Sequence, residues 1–146
     1  DKIVKHIGGK VVYTKFDLEP KIIKLNRNAF RIEIPMQSEY KKYLIIRELG
    51  HLFLHMKFLS NKNEWNKIEN NVTFKPVMIH KAYLMYNLEA EKFANEFIMQ
   101  SNEFIDIINK NTINDNIDVV GISQYFEVPR DTIIQHANDL GLLINA

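Results

Sequence analysis

The run Arg47-Glu48-Leu49-Gly50-His51 puts a glutamate three residues before a histidine inside a stretch otherwise rich in Tyr, Leu, Ile and Phe. The spacing is that of the metal-binding pattern H-E-x-x-H, with arginine where the first histidine belongs. In the intact pattern, residues four apart share one helical face and aim two imidazoles at one Zn²⁺, while the glutamate reaches the metal-bound water as general base. Zinc lowers the pKa of that water toward about 7 and polarises the carbonyl under attack. Arginine supplies none of this, because its guanidinium stays protonated and offers donors only. Its charge also opposes a dication unless the side chain swings out of the site. Glu48 keeps the place of the general base, but without a metal-bound water it has nothing to deprotonate. The residues therefore predict a buried Glu48 carboxylate paired with Arg47, and a His51 ring satisfied by the core.

These residues need a helix to hold them. Tyr40, Leu44, Arg47, His51 and Leu54 or His55 form one stripe at helical spacing, and Ile45, Leu49, Leu52 and Met56 form another. Such a helix, from a Ser38 cap to Phe58, is apolar on both sides, so Arg47 is costly there unless paired. Glu48, Asn87 and Glu89 are its expected partners. Asn87 and Glu89 belong to a second helix, roughly residues 80 to 100. Upstream, KVVYTKF, KIIKL and AFRIEI read as strands of a small antiparallel sheet, broken at Asp17 to Pro20 and at Asn26 to Asn28. Residues 61 to 71 read as a solvated surface loop, with Trp65 a candidate cover for a groove. FIDIINK reads as a short helix, followed by two more joined around Val128 and Pro129. A sheet followed only by helices gives an α+β class.

The segment YLIIRELGHLFLH, with its E-L-G-H core, aliphatic flanks and a further His55 one turn on, resembles the ImmA/IrrE family of zincin-like zinc-metallopeptidase domains. AEKFANEFIM on the second helix is similar to that family's alanine, then phenylalanine-alanine, then apolar run. The resemblance covers most of the chain. It implies one domain over 1–146, with a small sheet (1–36), zincin-like helices (37–110) and a C-terminal segment like a helix-turn-helix (111–146). It also implies a third zinc ligand, a glutamate on the second helix. Counted back from Phe93-Ala94, that position falls on Asn87, with Glu89 two residues later. On a helical wheel, Asn87 lies nearer than Glu89 to the inward face of Tyr83, Ala90, Phe93, Ala94 and Phe97. Asparagine is a neutral, weak zinc ligand. On this register Arg47 and Asn87 are former ligand positions, and two of three ligands are lost. If a site survives, its metal ligands are His51 and Glu89 with His55 or His80, and Glu48 is the base.

Composition narrows the function. Nineteen basic against eighteen acidic residues give a formal charge of +1, so the whole chain sets up no field that marks a nucleic-acid or membrane binder. The absence of cysteine excludes disulfides, thiolate zinc sites and cysteine nucleophiles. No long uncharged apolar run occurs, and the chain reads as cytoplasmic. From Ser123 to Asn138 the only cation besides histidine is Arg130, against Glu127 and Asp131, which argues against phosphate contacts by the last helices. The expected function is a degenerate, non-catalytic ImmA/IrrE-like domain without a cofactor. It would bind a protein partner, such as a repressor or regulator, in bacterial or mobile-element gene regulation. The alternatives are an active zinc metalloendopeptidase that cleaves a repressor, and a helix-turn-helix DNA-binding regulator. An unpaired strand edge in so small a sheet also allows a homodimer.

Overall fold

The computed structural model describes residues 1–74 and 80–142, with residues 80–83 as backbone alone. The molecule is α+β: a three-stranded sheet near the N-terminus, then helices, ending in a helical pair. The chain forms two compact units, Asp1–Glu91 and Lys92–Ala146.

The first unit begins with α1 (Lys2–His6), β1 (Gly9–Thr14), β2 (Lys21–Asn26) and β3 (Ala29–Pro35). The strands fall where the β-branched runs predict them, but the sheet is mixed rather than antiparallel. Its order is β1-β3-β2, with β2 antiparallel to β3 and β1 parallel to it. The tight Asn26 to Asn28 turn, in which the Asn28 amide donates to Asn26 Oδ1, closes β2 onto β3 as a hairpin. The longer 15–20 connection lets β1 lie on the far side of β3. Gly9 fits there because a Cβ would stand 2.3 Å from the Phe30 ring and 2.8 Å from Val4 of α1. The alternation of β3 then sends Phe30, Ile32 and Ile34 into the core, while Arg31 donates to Glu33 on the other face.

Helix α2 (Lys41–Leu54) packs against β3 and β2, and its Leu49 and Leu52 are fully buried, as is Met56 just beyond its end. It is shorter than the predicted Ser38 to Phe58. Ser38 does not cap it: the Ser38 amide donates to the Pro35 carbonyl in a turn, and Tyr40 holds the N-cap without a side-chain bond. At the other end, Lys57 and Leu59 adopt φ of 62° and 63°, which no helix continues through.

The predicted loop at 61 to 71 contains a short helix, α3 (Lys62–Lys67), capped by the Asn61 side chain on the Glu64 amide. Trp65 is buried, packs edge-on to Phe58 with centroids 4.8 Å apart, and donates Nε1–H to the Arg27 carbonyl. Lys24 of β2, also buried, lies 5.0 Å from the indole centroid and donates at 2.9 Å to the carbonyls of both Trp65 and Ile68. One ammonium thus satisfies the C-terminal carbonyls of α3 and fixes it to the sheet.

Helix α4 (His80–Ile98) runs from the first unit into the second, which continues with α5 (Ser101–Lys110), the two-residue strands β4 (Thr112–Ile113) and β5 (Asn116–Ile117), α6 (Val119–Phe126) and α7 (Arg130–Asp139). Asn114 and Asp115, both at positive φ, make the tight β4–β5 turn. Asp118 caps α6 on the Gly121 amide, and Glu127 in the left-handed region turns the chain into α7 beside Val128 and Pro129, where the sequence places the joint. Phe104 is fully buried between Phe126 and His136, whose Nε2–H donates to the Met99 carbonyl at 2.7 Å.

Replacing Lys24 by Met keeps the apolar stem and removes the donors to two covered carbonyls. Lys24→Met is expected to lower the unfolding free energy by about 2 kcal/mol in urea denaturation followed by Trp65 fluorescence. A change within error would show that α3 is held by the indole alone.

Candidate functional site

Eight of the fourteen residues of α2 are buried, among them Glu48, Gly50 and His51. Glu48 has lost nearly all contact with water, its side chain being 8 % exposed, and its ion-pair partner among the described residues is the Arg47 guanidinium, Nη2 to Oε1 3.8 Å. That is an ion-pair distance, too long for a hydrogen bond. Burial pushes the Glu48 carboxyl up to about 7, against the opposing pull of Arg47. Arg47 itself is mostly covered, its side chain 26 % exposed. The predicted pairing with Glu48 is therefore present as a loose contact. Among the described residues no hydrogen bond joins Arg47 to Asn87 or Glu89.

Glu89 goes elsewhere. Its carboxylate Oε2 accepts from His55 Nε2 at 2.9 Å, and His55 Nδ1 lies 2.8 Å from His51 Nδ1. This geometry fixes the tautomers. A carboxylate only accepts, so His55 carries its proton on Nε2 and its Nδ1 is a lone pair. His51 must then donate Nδ1–H to it, leaving the lone pair of His51 on Nε2. The His55 ring is 2 % exposed and sits edge-on to Tyr86 at 4.3 Å between centroids, while Phe74 lies 6.4 Å from the His51 ring. Glu89, half-exposed, is the wet end of a file that leads inward through His55 to His51.

The file explains the imidazole energetics. Burial first, then the neighbouring His55 and Arg47 charges, hold His51 down at about 4, so it stays neutral in the core. His55 is also lowered by burial, with the Glu89 hydrogen bond and charge opposing. Chemically the arrangement can store a neutral base in His51 Nε2 and pass a proton along two rings to a carboxylate at the surface.

It does not suit a metal. His55 spends both nitrogens on His51 and Glu89, so the three residues form a line rather than converge on one point. His51 contributes a single free lone pair, and the guanidinium of Arg47 stands one helical turn away. Among the described residues no group of three or more His, Asp or Glu side chains is placed to hold a metal ion. Among the described residues, these donors do not converge as a zinc site of three ligands requires. Asn87 is half-buried on α4, as the wheel suggests, yet Glu89, from the more exposed position, is the residue that reaches the histidines. The side chains of His80 and Tyr83 lie outside the described residues. The packing roles of Tyr86 and Phe74 escaped the sequence reading, although His51 and His55 at i, i+4 spacing signal their own meeting.

The helical pair α6–α7 was the other candidate. The outward side of α7 carries Asp131, Gln135, Asn138 and Asp139 around an open groove that also includes Ile134. Two carboxylates there repel a phosphate backbone. No helix among the described residues is long and apolar enough to cross a membrane. No protein-family model matches the chain, and no curated protein shows significant similarity to it.

Glu48 and His51 make opposite contributions to stability against pH. The raised Glu48 pKa favours folding below about 4.5 and loses that contribution as pH rises to about 7. The lowered His51 pKa gives stability that is present above about 6.5 and lost as pH falls toward about 4. Between 4.5 and 6.5 the unfolded chain carries both charges and the folded chain neither, so the two slopes offset each other. Relative to the natural chain, Glu48→Gln should gain stability as pH rises across this window, and His51→Leu should lose it, each by at most about 1.4 kcal/mol per pH unit. Denaturation of the three proteins at several pH values measures both differences; a pH-independent difference for Glu48→Gln would place its pKa in the ordinary carboxylate range.

Proposed function

We propose that this chain is a degenerate zincin-like domain of the ImmA/IrrE kind, without catalytic zinc, that acts by binding a protein partner in bacterial or mobile-element gene regulation. The observation that carries the reading is Arg47 on the buried motif helix, its guanidinium 3.8 Å from the carboxylate at the general-base position. A fixed cation beside Glu48 occupies the electrostatic role that a metal would have there. The file of His51, His55 and Glu89 further supports it, because it consumes the donors that a displaced metal site would need.

The order of elements, sheet then motif helix then a second long helix then a helical pair, agrees with what the resemblance implies. The regulatory setting rests on that resemblance alone, and so does the choice of a repressor or other regulator as partner. Neither alternative gains a specific observation. A working metalloendopeptidase has no converging donor set among the described residues, and a DNA-binding use of α7 meets the carboxylates of Asp131 and Asp139.

The test compares zinc content and affinity of the tag-free natural chain with an Arg47→His, Asn87→Glu double variant, by elemental analysis and calorimetry. The natural chain is expected to be free of stoichiometric zinc, and the double variant to bind about one ion per chain. Stoichiometric zinc in the natural chain would overturn the degenerate-site reading and make a peptidase assay the next step.

A further inference from the structure

The sheet has two edges, and the chain treats them differently. Along β2 the chain covers itself: Ile23 bridges Thr73, the Asn71 amide donates to the Lys24 carbonyl at 2.7 Å, and the Phe74 amide donates to the Ile22 carbonyl at 3.0 Å. Along β1, no strand or loop among the described residues takes the corresponding place. The carbonyls of Gly8 and Thr14 accept from the amides of Phe30 and Met36. In a parallel ladder alternate residues bond inward, so the even-numbered residues of β1 face β3. The amides and carbonyls of Gly9, Val11 and Tyr13 consequently face outward, as a row ready to pair with another strand.

The side chains along this edge have a consistent character. Lys10 and Lys15 are exposed, and Lys41, the first residue of α2, holds its ammonium 5.5 Å from the Tyr13 ring. None of the three is in an ion pair among the described residues. The nearby carboxylates of Asp17 and Glu33 are already paired, with Lys21 and Arg31. Just beyond the strand, Phe16 is 94 % exposed and Leu18 is 88 % exposed. The edge is thus backbone-unsatisfied, locally cationic and flanked by bare apolar side chains, in a chain whose overall charge is close to neutral.

We propose that the outer edge of β1 docks an extended acidic segment of a partner protein, added to the sheet as a fourth strand. Backbone pairing through Gly9, Val11 and Tyr13 would supply affinity independent of sequence, while Lys10, Lys15 and Lys41 select carboxylates and Phe16 and Leu18 take apolar residues between them. A second copy of this chain is the poorer occupant, because pairing two β1 edges sets lysines against lysines. The inference deepens the protein-binding reading above and rests on it for the partner's nature, but it makes no use of Arg47 or the histidines.

The probe is a fluorescein-labelled, end-capped octapeptide of alternating glutamate and valine, titrated with the full chain by fluorescence anisotropy beside its lysine-valine counterpart. The acidic peptide should bind more tightly by at least about ten-fold, with the preference lost in a Lys10→Glu, Lys15→Glu variant of unchanged unfolding midpoint. Tyr13→Pro, which removes an outward amide while sparing the inward ladder, should also abolish binding. Hydrogen exchange should show the amides of Val11 and Tyr13 slowed by the acidic peptide. Equal binding of both peptides, or unaltered exchange at these amides, overturns the proposal. So does concentration-dependent dimerisation in sedimentation that Tyr13→Pro abolishes, since the occupant is then a second copy. The Arg47→His, Asn87→Glu protein should bind the acidic peptide like the natural chain, so a positive zinc result and a failed peptide result remain separate.

Discussion

The N-terminal unit is organised by the burial of α2 on nearly every side, and by what that burial demands of its polar residues. A helix with one wet face could leave Glu48 and His51 in water. Here β3 covers one side with Phe30, Ile32 and Ile34, and the polar groups must be satisfied or neutralised inside. The two residues take different routes. His51 donates a hydrogen bond to its neighbour one turn on, while Glu48, with the Arg47 guanidinium at 3.8 Å as its ion-pair contact among the described residues, keeps its proton to near neutrality. The His51–His55–Glu89 file follows from the same demand, because each N–H of a buried imidazole pair needs an acceptor, and Glu89 supplies the one that His51 and His55 cannot give each other.

Sequence periodicity made much of this visible. The double apolar stripe of residues 40 to 56 correctly implied a covered helix, and the β-branched runs placed all three strands of the main sheet. Pro129 and Val128 marked the joint of the last two helices. What periodicity could not reveal was the partner of each strand. Three short strands with short connections read as an antiparallel sheet, yet β1 lies parallel beside β3, since the space above Gly9 accepts the Phe30 ring and nothing larger than glycine allows that approach. Helix α3 was hidden for a related reason. It has one buried side chain, Trp65, so no stripe exists to be read. Its anchor is the contact of Lys24 with two backbone carbonyls, and a lysine in a strand sequence ordinarily signals the wet face.

The candidate site was legible in part. Glu48 as a buried carboxylate next to Arg47 followed from the helix pattern, and so did His51 as a satisfied core residue. The sequence groups Glu89 with His51 and His55 only as ligands of a surviving metal site, and the wheel does not favour it, because it weighs the direction of the Cα–Cβ bond and not the reach of the side chain. Asn87 points closer to the inward face, but its short amide spans less distance than a glutamate starting from the rim. The longer residue therefore meets His55 from an exposed position. Arg47 is held in a comparable way: its side chain stays about a quarter exposed and its guanidinium stands 3.8 Å from the carboxylate, so that it lowers the Glu48 pKa without cancelling the cost of burial.

The two sheet edges bring these themes together. Residues 71 to 74, which cap the β2 edge, also bring Phe74 beside the His51 ring, so one short segment closes the sheet and walls the buried polar file. Covering β2 thereby serves the interior. Along β1 no described segment does the same, and the outward amides lie among lysines. Lysine at an open edge is the usual protection against pairing with identical strands. The device is selective by sign: it rejects another copy of the same cationic edge and does nothing to repel an acidic strand. A feature that keeps the chain from self-association thus defines, by its charge, the class of segment that could be admitted.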